Sequence, residues 1–436
     1  DEQVRKRSFL SIVRDNVTAI QGILMSWVDR ILRVRHGKPA IFIQEYYPTH
    51  KIVQRLKQDS GLRVILVQFT KPVRLMKFFT ERPIPVWGSA SRFCEAADKL
   101  LQAFFEKRCS KLILSNGIDI SESVYRVIEK RISHRTAVTV RTLDCVIRYL
   151  DKNPLQMYVL IANVGRIATL VDCVSKRRGI PSYLISNGLM GKDYLDEGKY
   201  ATVINGYSSS IKEHYFRGMD NVVCLGDPRM DDYVQDVQPR TINREMPTVT
   251  IGASGHSNVD LNSYLAVEFE FMYDVLQALR ISRERGVQLR IVIKVRANGY
   301  RGQYEDFVRE FFPGMVDEIL DSVPMKKVLE KTDFYITVYS STVFEASCLG
   351  IPCVYYKKDT EITDPPFDGN SELVTVGNVD DLIKAIADFQ SGHERYDAFL
   401  EKSVMEKYIG PLDGKNLDRN LAFIYDLLAK SNKGMV

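Results

Sequence analysis

Short apolar runs alternate with segments in which apolar residues recur every three or four positions. Ala40-Ile41-Phe42-Ile43, Val64-Ile65-Leu66-Val67, Met157–Ile161 and Pro181–Ile185 are runs of the first kind. So are Thr248–Ile251, Leu289–Lys294, Phe334–Val338 and Cys353–Tyr356. Continuous apolar runs of this length read as strands buried on both faces. Leu112-Ile113-Leu114 before Ser115-Asn116-Gly117, Tyr200–Ile204 and Val222–Leu225 read as shorter strands. Helical spacing predicts helices over 89–108, 261–286, 342–349, 379–389 and 415–430. Strands alternating with helices predict parallel sheets covered on both faces. The alternation runs twice, over 38–240 and 241–412, with the polar, proline-containing stretch 234–247 as a linker and 413–436 as a tail helix.

Residues 1–37 carry a different pattern. Val4, Phe9, Ile12, Val13, Val17, Ile20, Leu24, Trp27, Val28, Ile31 and Leu32 fall at helical spacing, interleaved with Arg5, Lys6, Arg7, Arg14, Arg30, Arg33 and Arg35. This predicts a basic amphipathic helical extension. Two readings stay open: packing on its own or a neighbouring module, and lying on a membrane surface.

A length of 436 residues fits two domains. With 45% hydrophobic and 26% charged residues the composition is that of an ordinary globular chain. The net charge of +5 permits a phosphate-rich ligand or an anionic surface and demands neither. Basic residues are dispersed and lack interleaved aromatics, which argues against a nucleic-acid reader. The seven cysteines form no CxxC pair and read as reduced core residues of a cytosolic protein. No apolar run reaches the roughly 18 residues of a membrane span, and no signal peptide is visible. A first residue of Asp1 suggests a module of a longer chain with neighbouring domains.

In open parallel sheets ligands bind beyond the carboxyl ends of the strands. In the second unit three such loops are polar. Gly252-Ala253-Ser254-Gly255-His256 lets a phosphate approach backbone and brings an imidazole. Lys294 and Arg296 can neutralise phosphate charge. Ser340-Ser341-Thr342 places hydroxyls at the start of a helix, with Glu345 one turn on, where a carboxylate can accept from ribose hydroxyls. A glycine turn, a solvated basic pair and a helix cap explain each loop separately; their shared position favours a phosphate-bearing ligand. In the first unit Glu45, Asn163, Arg166, Asn187 and Gly188 sit at comparable strand ends. Glu45 is the first candidate for a catalytic base or nucleophile and Asp231 the second, with helix capping as the rival part for Asp231. His256 reads as acid, base or phosphate ligand. Asp231-Asp232 and Asp380-Asp381 lack a third metal ligand, and neither GxGxxG nor GxxxxGK[ST] occurs.

These motifs resemble the GT-B glycosyltransferase superfamily, and within it the bacterial surface-polysaccharide group: capsule and lipopolysaccharide transferases, CDP-glycerol polymer transferases and CMP-sugar transferases. Arg178-Gly179-Ile180-Pro181-Ser182 through Ser186-Asn187-Gly188 resembles that group's GIP…QHG segment, and Leu225–Asp231 its GNPRxD segment. Ser340-Ser341-Thr342, Glu345-Ala346 and Gly350-Ile351-Pro352 resemble its SSTxxEAxxxGxP donor-phosphate segment. Asn187 replaces the turn histidine, and Lys294-Val295-Arg296-Ala297 stands where Lys-x-His-Pro is usual. The resemblance covers about 175–400. It implies two Rossmann-like domains facing a cleft and a tail helix returning to the first domain. It also implies a metal-independent glycosyltransferase without a cofactor. The expected partners are a nucleotide-sugar donor, a CMP-linked acidic sugar such as Kdo or a UDP- or GDP-sugar, and a glycan or lipid-linked glycan acceptor. The expected place is the cytoplasmic face of the membrane. A nucleotide-sugar 2-epimerase of the same fold, and a non-catalytic glycan-binding or scaffold module, are the rival readings.

Overall fold

The computed structural model describes residues 20, 24, 27, 38–44, 49–66, 94–106, 111–152, 155–161, 166–186, 201–235, 240–253, 264–296, 301–338, 340–358 and 363–432. Twelve strands are assigned among them: β1 (Ala40–Ile43), β2 (Arg63–Leu66), β3 (Met157–Ile161), β4 (Ser182–Ile185), β5 (Val203–Asn205), β6 (Val222–Val223), β7 (Thr248–Gly252), β8 (Arg290–Lys294), β9 (Glu318–Leu320), β10 (Phe334–Thr337), β11 (Cys353–Tyr356) and β12 (Thr375–Val376). The helices between and after them are α1 (His50–Gln58), α2 (Cys94–Glu106), α3 (Ser121–Lys152), α4 (Arg166–Arg177), α5 (Ser209–His214), α6 (Asp231–Val234), α7 (Tyr264–Glu284), α8 (Arg301–Phe311), α9 (Met325–Leu329), α10 (Thr342–Cys348), α11 (Val379–Ser391), α12 (Asp397–Leu400), α13 (Lys402–Ile409) and α14 (Asn416–Asn432).

The strands form two six-stranded sheets, in the orders β2-β1-β3-β4-β5-β6 and β12-β11-β10-β7-β8-β9. In the second sheet all five neighbouring pairs run parallel. Non-sequential neighbours such as β10 and β7 require crossover helices, which is why apolar strands alternate with helices along the chain. The chain divides into two compact units. One holds the described residues up to Ile185, 201–203 and those from Phe423 on; the other holds Ser186 and Ile204–Ala422.

In the first unit β1, β3 and β4 are buried at every position. Ile52, Val53 and Leu56 of α1 and Val171 and Val174 of α4 are buried as well. The end of α14 packs here: Tyr425 donates to Asp59 at 2.8 Å, Phe423 tilts against Tyr183, and Ser431 donates to the Gln156 carbonyl. The apolar run at 112–114 adds no sheet strand. It makes a single antiparallel bridge, Ile113 with Asp119, in a turn that leads into the 32-residue α3. Ile20, Leu24 and Trp27 are helical and exposed; the rest of the amphipathic extension lies outside the described residues. No helix among the described residues is long and apolar enough to cross a membrane.

In the second unit Val249, Ile251, Ile291, Ile293, Ile336 and Val354 join Phe271, Val275 and Leu279 of α7 and Leu382, Ile386 and Phe389 of α11 in one core. Phe334 stacks on Phe389 with centroids 4.3 Å apart. Burying each such aromatic stabilises the fold by about 1.5–3 kcal/mol. Part of the stretch read as a linker is pinned to this unit. Arg240 pairs with Asp333 at 2.9 Å and donates to the Leu329 carbonyl, and Arg244 donates to the Phe389 carbonyl.

Candidate functional site

Three neighbouring strands, β10, β7 and β8, end in Thr337, Gly252 and Lys294. Gly252 lies opposite both Thr337 and Lys294 in the register, so the three chains leave the sheet at one edge.

Gly252 answers first to packing. A Cβ there would stand 2.0 Å from Tyr335 Oη and 2.9 Å from Thr337 Oγ1. Thr337 Oγ1 donates to the Gly252 carbonyl at 2.8 Å. The bare backbone leaves room for the Tyr335 hydroxyl to reach Thr342 Oγ1, 2.5 Å away. Thr342 Oγ1 lies 2.8 Å from Ser340 Oγ, which also accepts from the Thr342 amide at 3.3 Å. Tyr335, Thr342 and Ser340 thus form a chain of hydroxyls beyond β10. Burial holds the Tyr335 phenol above its ordinary pKa, so it stays protonated. Ser341 stands at the N-cap position with φ −73° and ψ −1° but makes no side-chain capping bond. The seven residues of α10 make a modest dipole, so the hydroxyls matter more here than the helix end.

Lys294 is buried at the end of β8. Its Nζ donates to the Val295 and Asp321 carbonyls, both at 2.7 Å. The sequence assigns this ammonium to phosphate; in the fold two backbone oxygens accept from it, as a largely buried charge requires. Burial lowers its pKa, against the opposing pull of Asp321. Arg296, two residues on, is exposed.

Glu345 is buried one turn into α10 and accepts from Tyr233 Oη at 2.6 Å. Burial raises its pKa, while the Tyr233 hydrogen bond and the Arg229 charge pull it down. Arg229 is clamped on Asp227, with Nε 2.9 Å and Nη2 2.6 Å from Oδ2. Burial opposes the guanidinium charge; Asp227 and Tyr207 outweigh it and leave Arg229 above its ordinary pKa.

Asp231 caps a helix: Oδ1 accepts from the Asn416 amide at 3.0 Å and Oδ2 from the Leu417 amide at 2.8 Å. Both oxygens are held at the start of α14, which is the capping part weighed against a catalytic one for this residue, though on a helix far along the chain. Glu45, Asn163, Asn187, Gly188, Ser254, Gly255 and His256 lie outside the described residues, and Arg166 opens α4 with only its backbone described. Among the described residues no three His, Cys, Asp or Glu side chains gather as a metal set.

The strand-end rule therefore brings Gly252, Lys294, Ser340, Thr342 and Glu345 to one unit and one sheet edge. It missed Tyr335, Tyr233, Arg229 and Asp227. Tyr335 had a signal, because period-two alternation puts it on the Thr337 face. Tyr233 had none, since its contact spans 112 residues.

The architecture matches solved structures over nearly the whole chain. A provisionally identified UDP-N-acetylglucosamine 2-epimerase from Listeria monocytogenes superposes with a TM-score of 0.55 at 15% identity, covering 89% of this chain and 96% of that one. MnaA of S. aureus with UDP gives 0.55 at 13%, covering 92% and 98%. The UDP-GlcNAc 2-epimerase from Neisseria meningitidis bound to UDP-GlcNAc gives 0.53 at 10%, covering 89% and 100%. The fold is GT-B. No protein-family model matches the sequence, and no curated protein is significantly similar to it. At these identities the likeness speaks for the GT-B fold alone. The hydroxyl chain lies in the unit built on the second sheet.

Proposed function

We propose that the chain is a nucleotide-sugar-dependent glycosyltransferase that carries a sugar from its donor to a glycan acceptor. The observation that carries this reading is the Tyr335–Thr342–Ser340 hydroxyl chain beyond β10, beside the obligatory glycine at the end of β7. Hydroxyls and nearby backbone N–H groups suit the donor phosphates, and exposed Arg296 adds positive charge just past β8. Supporting the leaving phosphate electrostatically is a large part of catalysis in such a transfer. A base on the acceptor falls to Glu45, with His256 as acid or second phosphate ligand. The acceptor side falls to Asn163, Arg166, Asn187 and Gly188. A bacterial surface glycan as product, a CMP-, UDP- or GDP-linked donor and a place at the cytoplasmic membrane face belong to this proposal.

A second reading, 2-epimerisation of a nucleotide sugar, is favoured by the structural neighbours, two of which hold UDP or UDP-GlcNAc. Inverting C2 breaks its C–H bond and needs acid/base groups at the sugar. In the described part of the second unit, Asp227, Asp231 and Glu345 are held by Arg229, by helix amides and by Tyr233. That weighs toward transfer.

A thermal-shift panel of CMP, CDP, UDP and GDP tests the donor site, because ligands that bind the native state raise the melting temperature. No shift with any of them removes the proposal. Incubation with UDP-GlcNAc in D2O then separates the activities. Deuterium at C2 of recovered nucleotide sugar supports epimerisation, while acceptor-dependent release of UDP without exchange supports transfer.

A further inference from the structure

One hydrogen bond joins α6 to α10: Tyr233 Oη donates to Glu345 Oε2 at 2.6 Å, with both side chains buried. That length is typical of a charge-assisted O–H···O⁻ bond. The approach is constrained from both sides. Tyr233 sits in a four-residue helix whose first residue, Asp231, is anchored on the α14 amides, and Lys326 lies over its ring and donates to the Asp232 carbonyl. Arg229, whose charge favours an ionised Glu345, is itself clamped on Asp227 and cannot swing toward a ligand without breaking that fork. Glu345 follows Thr342 by three residues and shares its side of α10. A carboxylate offers about four acceptor positions, and Tyr233 uses one.

We propose that Tyr233 is a positioning residue: by holding Oε2 it fixes the orientation in which the Glu345 carboxylate accepts from the vicinal hydroxyls of the donor's ribose, and so makes the site select ribonucleotides over deoxyribonucleotides. The inference rests on the donor-site reading above. A phenol hydrogen bond of this kind does not touch phosphate or base. Its loss acts on the ribose hydroxyls alone, whereas a merely structural lesion weakens every nucleotide alike.

The test is calorimetric binding to the full chain, using the nucleotide among CMP, CDP, UDP and GDP that raises its melting temperature, together with its 2′-deoxy and 3′-deoxy forms. The unaltered chain prefers the ribonucleotide by about tenfold, the size expected for a hydrogen bond to a charged acceptor. Tyr233→Phe brings the preference to within about twofold while leaving the deoxy affinities in place. Equal weakening of ribo and deoxy forms, or an unchanged preference, overturns the inference and leaves the donor site standing. Glu345→Gln gives a second measure should Tyr233→Phe not fold. It loses the same preference, the double variant loses no more than either single one, and full discrimination by Glu345→Gln overturns the proposal. Absence of binding by the unaltered chain overturns the donor-site reading itself, and the inference with it.

Discussion

Asn205 Nδ2 donates to Asn420 Oδ1 at 2.9 Å, joining the end of β5 to the first half of α14. The same amide donates to the Gly226 carbonyl at 3.0 Å, and its oxygen accepts from the Tyr207 and Leu225 amides at 3.0 and 3.1 Å. A carboxamide has two donors and about two acceptor positions, so this buried side chain is fully used. Leucine is nearly isosteric but strands two amides and a carbonyl. Asn205→Leu is expected to cost about 3 kcal/mol or more, and Asn420→Ala about 1–3 kcal/mol, read from urea midpoints at constant slope. A loss below about 1 kcal/mol for Asn205→Leu would contradict the network.

Gly252→Ala drives a methyl into the Tyr335 hydroxyl. The strand must shift or the phenol must leave Thr342, so nucleotide affinity falls at least tenfold, equivalent to about 1.4 kcal/mol. Combining it with Tyr335→Phe removes the nearest clashing atom and restores part of the stability, read as a recovery in melting temperature. No recovery at all would show that the clash with the ring carbon and Thr337, not the hydroxyl, dominates.

The two basic residues at and just past the end of β8, Lys294 and Arg296, are expected to behave differently. Arg296→Ala weakens nucleotide binding several-fold with little effect on unfolding. Lys294→Met lowers stability by about 1–3 kcal/mol, because the Val295 and Asp321 carbonyls lose a charged donor. Binding titrations and urea curves on the two variants check this. An unfolding midpoint unmoved by Lys294→Met would return that lysine to the phosphate.

Asp172 gives a pH dependence. It is fully buried on α4, neither oxygen reaches hydrogen-bond geometry, and burial pushes its pKa up to about 6 against the pull of Ser182 and Lys176. A folded pKa above the unfolded value means stability is fully present below about pH 4 and is lost as pH rises through about 6. Raising the pKa from 3.8 to about 6 corresponds to roughly 3 kcal/mol at neutral pH. Asp172→Asn is therefore stabilising at pH 7.5 and close to neutral at pH 4. A pH-independent difference between the two proteins would remove this account.

The parts of the fold written in local pattern were legible. Cys353–Tyr356 is a strand of the expected length because an apolar run between Gly350-Ile351-Pro352 and Lys357 leaves no alternative, and α7 and α11 lie where helical spacing puts them. Leu112–Leu114 was misread because apolarity alone cannot say whether a partner strand exists; Ile113 pairs only with Asp119. In the site, small polar residues at strand ends were visible because the sheet's direction puts them there. What those residues touch was not. Lys294 and Glu345 look alike in sequence as charges near a ligand, but Lys294 is tied to the Val295 and Asp321 carbonyls, while Glu345 gives one oxygen to Tyr233, 112 residues away. Burial decides such pairings, and burial belongs to the assembled unit.

The Asp231 cap on α14 closes a loop of 185 residues, and the Asn205–Asn420 bond one of 215. Contacts this far apart are slow to form. During synthesis the segment carrying Tyr233 leaves the ribosome long before Asn416, and its anchor does not yet exist. Helix α10 can fold on its strand by local contacts, but α6, which carries Tyr233, gains its Asp231 anchor only once the final helix has been made. A nascent chain halted before Asn416 would carry every hydroxyl of the site and still lack its grip on Glu345.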